Sequence, residues 1–158
     1  MARPERPDAV IAAPFGRLGI RLRGGAIADI DFLPAATRLV PPRTEAVRAV
    51  CARLRAYFAD PKAAFDIALA PEGTRFQRRV WRALRRIPPG KVLSYGELAR
   101  TLKTGARAVG NACRTNPILI VVPCHRVVAK NGAGGFMGRR AGKALRLKRW
   151  LLEHERGG

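Results

Sequence analysis

The chain has 158 residues, 47% of them hydrophobic, and its formal net charge at pH 7 is +20. This length makes one large domain or two small ones, and the hydrophobic content is enough for a core. The aliphatic run Ile118–Val122 is too short to cross a bilayer, and the first ten residues lack the apolar core of a secretory signal. We therefore expect a soluble cytoplasmic protein.

The cysteines and histidines are few and scattered. Cys51, Cys113 and Cys124 form no CxxC pair, which argues against a disulfide framework and fits a reducing compartment. With His125 and His154 as the remaining soft ligands, no group has the spacing of a zinc site. We expect no structural metal.

Positive charge is concentrated in the second half of the chain. Residues 1–72 hold 11 Lys and Arg against 8 Asp and Glu, whereas residues 73–158 hold 20 against 3. The imbalance favours a polyanionic partner, most simply a nucleic acid. Coding bias or solubility would explain the preference for Arg over Lys, but not the scarcity of acidic residues after Glu72.

Residues 1–72 predict a small α+β domain. Glycines 24 and 25 predict a hairpin turn between two β-rich segments, and Thr44 is a suitable N-cap for a helix that continues to Phe58. Residues 64–69 indicate a return to the sheet. The predicted strands are Ala9–Ala13, Leu18–Arg23 and Ala26–Leu33.

Pro71 to Thr74 marks a domain boundary, and a basic amphipathic helix is predicted to follow it. Its apolar stripe has helical spacing and consists of Phe76, Val80, Leu84 and Ile87, with Trp81 beside it. Arginines fill the other positions, and the sequence Pro88-Pro89-Gly90 ends the helix.

Two short helices are predicted next. Ser94 is the N-cap of the first, a break at Lys103-Thr104-Gly105 ends it, and Ala106–Arg114 forms the second. Short helices joined by a tight turn that contains glycine are typical of a helix-turn-helix, with the second as recognition helix. Close packing of the two helices against each other is an equally good interpretation of the small residues in the second.

The aliphatic run ends at Pro123 and is followed by Cys124, His125 and Arg126. Cys124 is a buried inert thiol, a metal ligand, or a nucleophile activated by neighbouring positive charge or a base. Adjacent side chains diverge in regular structure, so an imidazole relay needs a backbone bend at Pro123 or a bridging water. A carboxylate would orient the imidazole.

The carboxylates available for that role in this half are Glu97, Glu153 and Glu155. A glycine-rich loop is predicted over residues 131–142, and a final helix over residues 144–155, with Leu147, Trp150 and Leu151 facing inward. This helix can fold back on the loop and bring Glu153 or Glu155 near the imidazole.

The segment VVPCHRVV resembles the active-site motif of O6-alkylguanine-DNA alkyltransferases, the methylated-DNA–protein-cysteine methyltransferases. GTRFQRRVWRALRRIPPGKVLSYGELA resembles the opening helices of that family, ARAVGNACRTNP its recognition helix and asparagine hinge, and LKRWLLEHE its last helix. The resemblance covers nearly the whole chain. It implies an α+β fold with a small N-terminal domain (1–72, short antiparallel sheet) and a mainly helical C-terminal domain (73–158).

The resemblance implies a catalytic role for five residues. Cys124 would accept the alkyl group, His125 would deprotonate it through a water, and Glu155 would orient His125. Asn116 would join the recognition helix to the active-site segment by hydrogen bonds. Tyr95 would crowd the phosphate of the target nucleotide and donate a proton to the leaving guanine. The thioether product would make the protein a stoichiometric, single-use acceptor that needs no cofactor and no metal.

The resemblance also implies a DNA partner. Arg107 would enter the duplex from the minor groove and fill the space of a flipped O6-alkylguanine. We expect further DNA contacts from Ser94, Ala106 and Lys130. The implied partner is double-stranded DNA carrying O6-alkylguanine, with O4-alkylthymine as a second candidate, bound by a monomer away from any membrane.

Val127, Phe136 and Met137 are expected to line the pocket for the alkylated base. Two features depart from the family pattern. The turn at residues 103–105 is shorter than usual, and the glycine-rich loop is longer and more basic, with Met137 where a small residue is usual.

Three hypotheses therefore compete. A DNA repair alkyltransferase explains both the basic half and the thiol. A non-catalytic helix-turn-helix DNA-binding protein explains the charge but not the Cys, His and Glu set. A cysteine hydrolase explains the thiol but not the charge.

Overall fold

The computed structural model describes residues 6–130, 132, 134–135 and 142–157. The chain divides between Pro71 and Glu72 into two compact units, each with buried hydrophobic residues of its own. The first unit holds a three-stranded antiparallel sheet and a helix, and the second is mainly helical. The predicted α+β class is confirmed. Among the described residues, no helix is long and apolar enough to cross a membrane.

The sheet of the first unit is a meander of β1 (Ala9–Ala13), β2 (Gly16–Arg23) and β3 (Ala26–Leu33). Gly24 and Gly25 both have positive φ, +60° and +82°, as the tight turn between two right-twisted strands requires. Helix α1 (Glu45–Ala59) begins at the N-cap Thr44, whose hydroxyl accepts a hydrogen bond from the backbone N–H of Val47. The buried stripe of α1 is Val47, Val50, Cys51, Leu54 and Tyr57.

The predicted return of residues 64–69 to the sheet is confirmed at the end of the segment, where Leu69 makes one parallel bridge with Ile27. The Ile27 N–H donates to the Ala68 carbonyl at 2.9 Å, and the Ala70 N–H donates to the Ile27 carbonyl at 2.7 Å. Residues 65, 67 and 69 are half-buried while residues 64, 66 and 68 are exposed. The segment thus has the alternation of a strand and joins the sheet at this bridge.

The second unit begins with α2 (Arg75–Leu84), α3 (Tyr95–Leu102) and α4 (Ala106–Arg114). Capping boxes start the first two helices, Thr74 with Gln77 and Ser94 with Glu97. The bounds of α4 are those predicted from the sequence. The indole N–H of Trp81 donates to the Ala112 carbonyl at 2.8 Å and ties α2 to α4.

Two short strands and the last helix complete the unit. Strand β4 (Leu93–Ser94) pairs in parallel with β5 (Val127–Val128), so the start of α3 lies beside the segment after Cys124. Helix α5 (Lys143–Gly157) buries Ala144, Leu147, Lys148, Leu151 and Glu155 on one face. Trp150, predicted to face inward, is half-buried and stacks on His154 with ring centroids 4.8 Å apart.

The aliphatic run before Cys124 is buried but does not form a strand. Residues 118–122 form successive turns, with Val122 N–H donating to the Ile118 carbonyl at 3.0 Å. Ile120 has a φ of +74°, which is rare for a β-branched residue. These turns change the direction of the chain within the core and place Cys124 in a buried position.

Candidate active site

Cys124 opens a single turn of 3-10 helix, Cys124–Arg126. The bend at Pro123, with φ −83° and ψ 66°, turns the chain out of the aliphatic run immediately before the thiol. Only 4% of Cys124 is exposed. A molecule that reacts with this sulfur must therefore enter the protein, because the sulfur lies below the surface.

Asn116 connects the thiol to the turns of the aliphatic run. Its side-chain amide donates to the Val122 carbonyl at 2.7 Å and to Cys124 Sγ at 3.2 Å. Its Oδ1 accepts from the backbone N–H of Ile118 at 2.9 Å. One buried side chain therefore fixes both ends of the run and contacts the sulfur directly.

His125 lies against Glu155 of α5. The distance from Nε2 to Oε2 is 2.7 Å, and the two residues are 0% and 3% exposed. Glu153 is exposed, and the Glu97 carboxylate accepts from the backbone N–H of its own N-cap, Ser94. The fold thus brings Glu155, among the three carboxylates considered from sequence, to the imidazole.

Arg126 holds the other side of the Glu155 carboxylate. Its Nε donates to Oε1 at 2.8 Å and its Nη2 to Oε2 at 2.9 Å, while Nη1 donates to the Ile87 carbonyl at 2.5 Å. A bidentate pair of this kind is strong and directional. The sequence suggested Arg126 as a positive neighbour of the thiol, and its contacts instead anchor the carboxylate.

These contacts determine the tautomer of His125. Two charge-assisted bonds from Arg126 favour the ionised form of Glu155, which only accepts hydrogen bonds. The proton of the neutral imidazole is therefore assigned to Nε2, and Nδ1 keeps its lone pair. Nδ1 is buried and has no hydrogen-bond partner among the described residues. Burial lowers the pKa of His125, against the opposing effect of Glu155.

The thiol has opposing influences on its acidity. Burial raises the pKa of Cys124, while the hydrogen bond from Asn116 and the positive charge of Lys148 lower it. Burial also raises the pKa of the neighbouring thiol, Cys113, to about 12. Of these two buried cysteines, Cys124 is the one whose surroundings include a donor to its sulfur and an adjacent imidazole.

Tyr95 reaches the same region from the first turn of α3. Its hydroxyl lies 3.5 Å from the Gly135 carbonyl, and the side chain is half-buried. Pairing of β4 with β5 sets Ser94 opposite Val128 and Leu93 opposite Val127. The hydroxyl of Ser94 accepts the N-cap hydrogen bond from the backbone N–H of Glu97. Val127 is fully buried and directly follows the 3-10 turn Cys124–Arg126.

The residues expected to contact DNA lie on the outside of the unit. Ala106 and Arg107 are exposed in the first turn of α4, and Lys130 is exposed beyond β5. All six arginines from Arg75 to Arg86 are exposed on or just after α2. Phe136 and Met137, expected in the pocket, lie outside the described residues.

Lys148 is the residue that the sequence interpretation missed. It is fully buried in α5, and its Nζ donates to the carbonyls of Val127 at 2.7 Å and Gly135 at 2.8 Å. A signal was available, because Lys148 and Glu155 are seven residues apart and so share one face of a helix. That face also carries the buried Leu151.

Metal binding finds no support in the described ranges. They hold no cluster of three or more His, Cys, Asp or Glu side chains with the geometry of a cation site.

Comparison with known proteins gives one consistent result. Residues 75–157 match the family model described as 6-O-methylguanine DNA methyltransferase, DNA binding domain. A methylated-DNA–protein-cysteine methyltransferase of Methanosarcina acetivorans is 37% identical over 154 residues, covering 93% of this chain and 96% of that protein. The protein of that name from Shigella flexneri is 51% identical over 107 residues, covering 65% of this chain and 60% of its own.

Solved structures agree with the sequence relatives. The crystal structure of Mycobacterium tuberculosis O6-methylguanine methyltransferase matches with a TM-score of 0.79 at 37% identity, covering 94% of this chain and 91% of that one. The same protein in complex with DNA matches with a TM-score of 0.77 at 38% identity and the same coverage.

Proposed function

This chain belongs to the methylated-DNA–protein-cysteine methyltransferase family, and on that premise we propose that it repairs DNA by taking the alkyl group of O6-alkylguanine onto its own Cys124. The observation that carries the proposal is the buried set formed by Cys124, Asn116, His125, Glu155 and Arg126. It supplies a nucleophile, a donor to its sulfur, a proton acceptor and a fixed orientation for that acceptor.

Activation begins with the thiol proton. A water between Cys124 Sγ and His125 Nδ1 carries this proton to the imidazole, because side chains adjacent in sequence diverge. The lone pair assigned to Nδ1 makes His125 a base, and Glu155 then stabilises the imidazolium that forms. Asn116 stabilises the growing negative charge on sulfur through its hydrogen bond.

Transfer is a displacement at the alkyl carbon. The sulfur forms a bond to that carbon as the bond from carbon to guanine O6 breaks, and the electron pair of the broken bond stays on guanine. A donor to the purine helps this step, because guanine leaves more easily when its negative charge is neutralised. The hydroxyl of Tyr95 donates a hydrogen bond to the purine and keeps its own proton. The single proton that His125 took from the thiol then reaches guanine through solvent, so both side chains end in their starting states.

The product is a thioether on Cys124 and an unmodified guanine. A thioether has no acidic proton and is a poor leaving group, so no residue of the site regenerates the thiol. The protein is therefore a stoichiometric acceptor that acts once as a monomer.

The depth of Cys124 makes base flipping part of the reaction. An O6 substituent inside a stacked duplex cannot reach a sulfur that is 4% exposed. We assign α3, the turn at residues 103–105 and α4 as a helix-turn-helix that enters the minor groove. Arg107 fills the vacated space in the stack. The sugar-phosphate backbone of the DNA beside this space is contacted by Ser94, Ala106 and Lys130.

The test is the intact mass of the protein after incubation with a duplex containing one O6-methylguanine. We expect a gain of one methyl group that peptide mapping assigns to Cys124. The Cys124→Ala variant should gain nothing, and the matched Cys113→Ala variant should react as the natural chain does. An unchanged mass with the duplex fully bound would leave a DNA-binding protein without transferase activity.

A further inference from the structure

A lysine is buried beside the acceptor cysteine, and the steps above do not use it. Lysine is almost never fully buried, because removing an ammonium from water costs several kcal/mol unless partners compensate. Lys148 is 0% exposed, and its Nζ donates to the carbonyls of Val127 and Gly135 at 2.7 Å and 2.8 Å. Backbone dipoles therefore compensate part of its charge.

The groups around this ammonium belong to the reaction site. Its charge interacts with the thiols of Cys113 on α4 and Cys124, and with the imidazole of His125. Its Nζ also lies 5.8 Å from the centre of the Tyr95 ring on α3. The groups that interact with Lys148 therefore include three to which the proposed mechanism assigns a role, namely Cys124, His125 and Tyr95.

A purely structural role does not account for a charge at this position. Methionine would fill a similar volume without the cost of burying an ammonium. A neutral amide could donate to the same two carbonyls. What only a cation adds is a fixed positive charge near a sulfur that must become negative in a buried site, where charges interact more strongly than in bulk water.

We propose that Lys148 is a positioning residue of alkyl transfer, whose ammonium stabilises the thiolate of Cys124 while holding Val127 and Gly135 at the edge of the pocket. The proposal rests on the function proposed above, although its test does not need DNA. The proton removed from Cys124 still goes to His125, and Lys148 keeps its own.

The pH range of this effect follows from the state of the lysine. Burial lowers the pKa of Lys148 to about 8. The ammonium is therefore present at neutral pH and is lost as the pH rises through about 8. Its help to the thiolate must disappear in the same range, whereas a packing contact would be independent of pH.

The first experiment measures alkylation of Cys124 by iodoacetamide, followed by peptide mapping. Lys148→Met removes the charge and the hydrogen bonds, and Lys148→Gln removes the charge but keeps two N–H donors. We expect both variants to react about tenfold more slowly than the natural chain at pH 7, because the pKa of the Cys124 thiol rises when the positive charge of Lys148 is removed. The rates should converge above about pH 9 as the natural chain loses its ammonium. Lys148→Gln reacting like the natural chain at pH 7, or a rate ratio constant with pH, would overturn the proposal.

A second measurement uses the natural sequence and so does not depend on a variant that folds. The side-chain titration of Lys148 is followed by NMR before and after Cys124 is capped with iodoacetamide. Negative charge on Cys124 raises the pKa of Lys148, so capping should lower it. An unchanged titration would disprove the coupling.

The two proposals fail in different ways. If the natural chain takes no methyl group from O6-methylguanine in DNA, the proposed function is wrong whatever iodoacetamide reports. If transfer from DNA occurs but capping and substitution leave the lysine and thiol titrations uncoupled, the proposed function stands and the role of Lys148 is wrong.

Discussion

Glu155 is a buried carboxylate whose charge depends on two partners, His125 and Arg126. Its two oxygens accept from His125 and twice from Arg126 in a buried region. Removing one partner of a buried ion pair typically costs about 3–5 kcal/mol, because the remaining charge has no compensation. We therefore expect Glu155 to contribute to stability and to orient His125, the proposed proton acceptor.

Glu155→Gln is expected to lower both properties. Alkyl transfer should slow by about 10²-fold or more, the usual contribution of a positioned base, because an amide cannot stabilise the imidazolium. Unfolding by urea should require less denaturant. Glu153→Gln is the matched control on the exposed face of the same helix, and equal effects of the two substitutions would refute the assignment.

The pKa of His125 determines how the protonation of the site and the stability of the fold change with pH. Burial lowers its pKa below the ordinary value of 6.5, so the imidazole is neutral and able to accept a proton at neutral pH. The same shift in the pKa of His125 also makes folding stability depend on pH. The unfolded chain binds the proton more readily, so the stability due to His125 is present above about 6.5 and is lost as pH falls through its folded pKa.

We therefore expect the imidazole of His125 to titrate below pH 6.5, with alkyl transfer falling on the acid side of that midpoint. The chain has two histidines, so the variant His154→Gln leaves one imidazole signal for NMR. A midpoint above 6.5 would contradict the lowering of the pKa of His125 by burial.

At the scale of elements, the parallel pair of β4 and β5 joins two parts that are distant in sequence. It sets the N-terminus of α3, with Tyr95, beside the turn that carries Cys124. Asn116 then connects the end of α4 to the same turn through Val122. The pair of helices proposed to bind DNA is thus attached directly to the thiol.

Arg107 tests whether α4 takes part in flipping. Arg107→Ala should slow transfer far more from O6-methylguanine in a duplex than from the free modified base, because only the duplex must be opened. Arg114→Ala, exposed at the other end of α4, removes the same charge and should slow the duplex reaction much less. Equal slowing of the duplex and free-base reactions by Arg107→Ala would contradict the flipping role.

Sequence patterns predicted most helices well, because caps and apolar stripes are local signals. Thr44, Thr74 and Ser94 all cap helices that begin at the next residue. The turns before Cys124 were not predictable in this way. Their conformation depends on Asn116 side-chain bonds and on a positive φ at Ile120, which five consecutive aliphatic residues do not indicate.

The candidate site was likewise predictable from the sequence only in part. The VVPCHRVV segment and the family resemblance selected Cys124, His125 and Glu155 as the candidate set, and the structure places Glu155 against His125. The partners of Arg126 and Lys148 were not predicted, because a charged residue in a basic sequence is normally a solvated one. Their burial depends on contacts across 29 and 21 residues of chain, to Glu155 and Val127.

At the scale of the molecule, the charge is strongly divided. Residues 1–72 carry a net +3 and residues 73–158 a net +17. Each phosphate neutralised by a protein cation adds about 0.9 to the slope of log affinity against log salt. The second unit is therefore expected to supply nearly all of the affinity for undamaged DNA.

Two matched pairs of substitutions test this division. Arg75→Gln with Arg82→Gln removes two exposed charges from α2, and Arg48→Gln with Arg55→Gln removes two from α1. We expect the α2 pair to weaken binding to an undamaged duplex and to reduce the salt slope, with little change for the α1 pair. Similar losses from both pairs would mean that net charge alone matters.

The stoichiometry of transfer tests most directly whether Cys124 is a single-use acceptor. The protein is titrated with a growing excess of duplex containing O6-methylguanine, and the repaired guanine and the methylated protein are both counted. We expect a plateau at one repaired guanine per protein, with all the methyl groups on Cys124. Repair that continues beyond one equivalent, or a methyl group on another residue, would contradict this expectation.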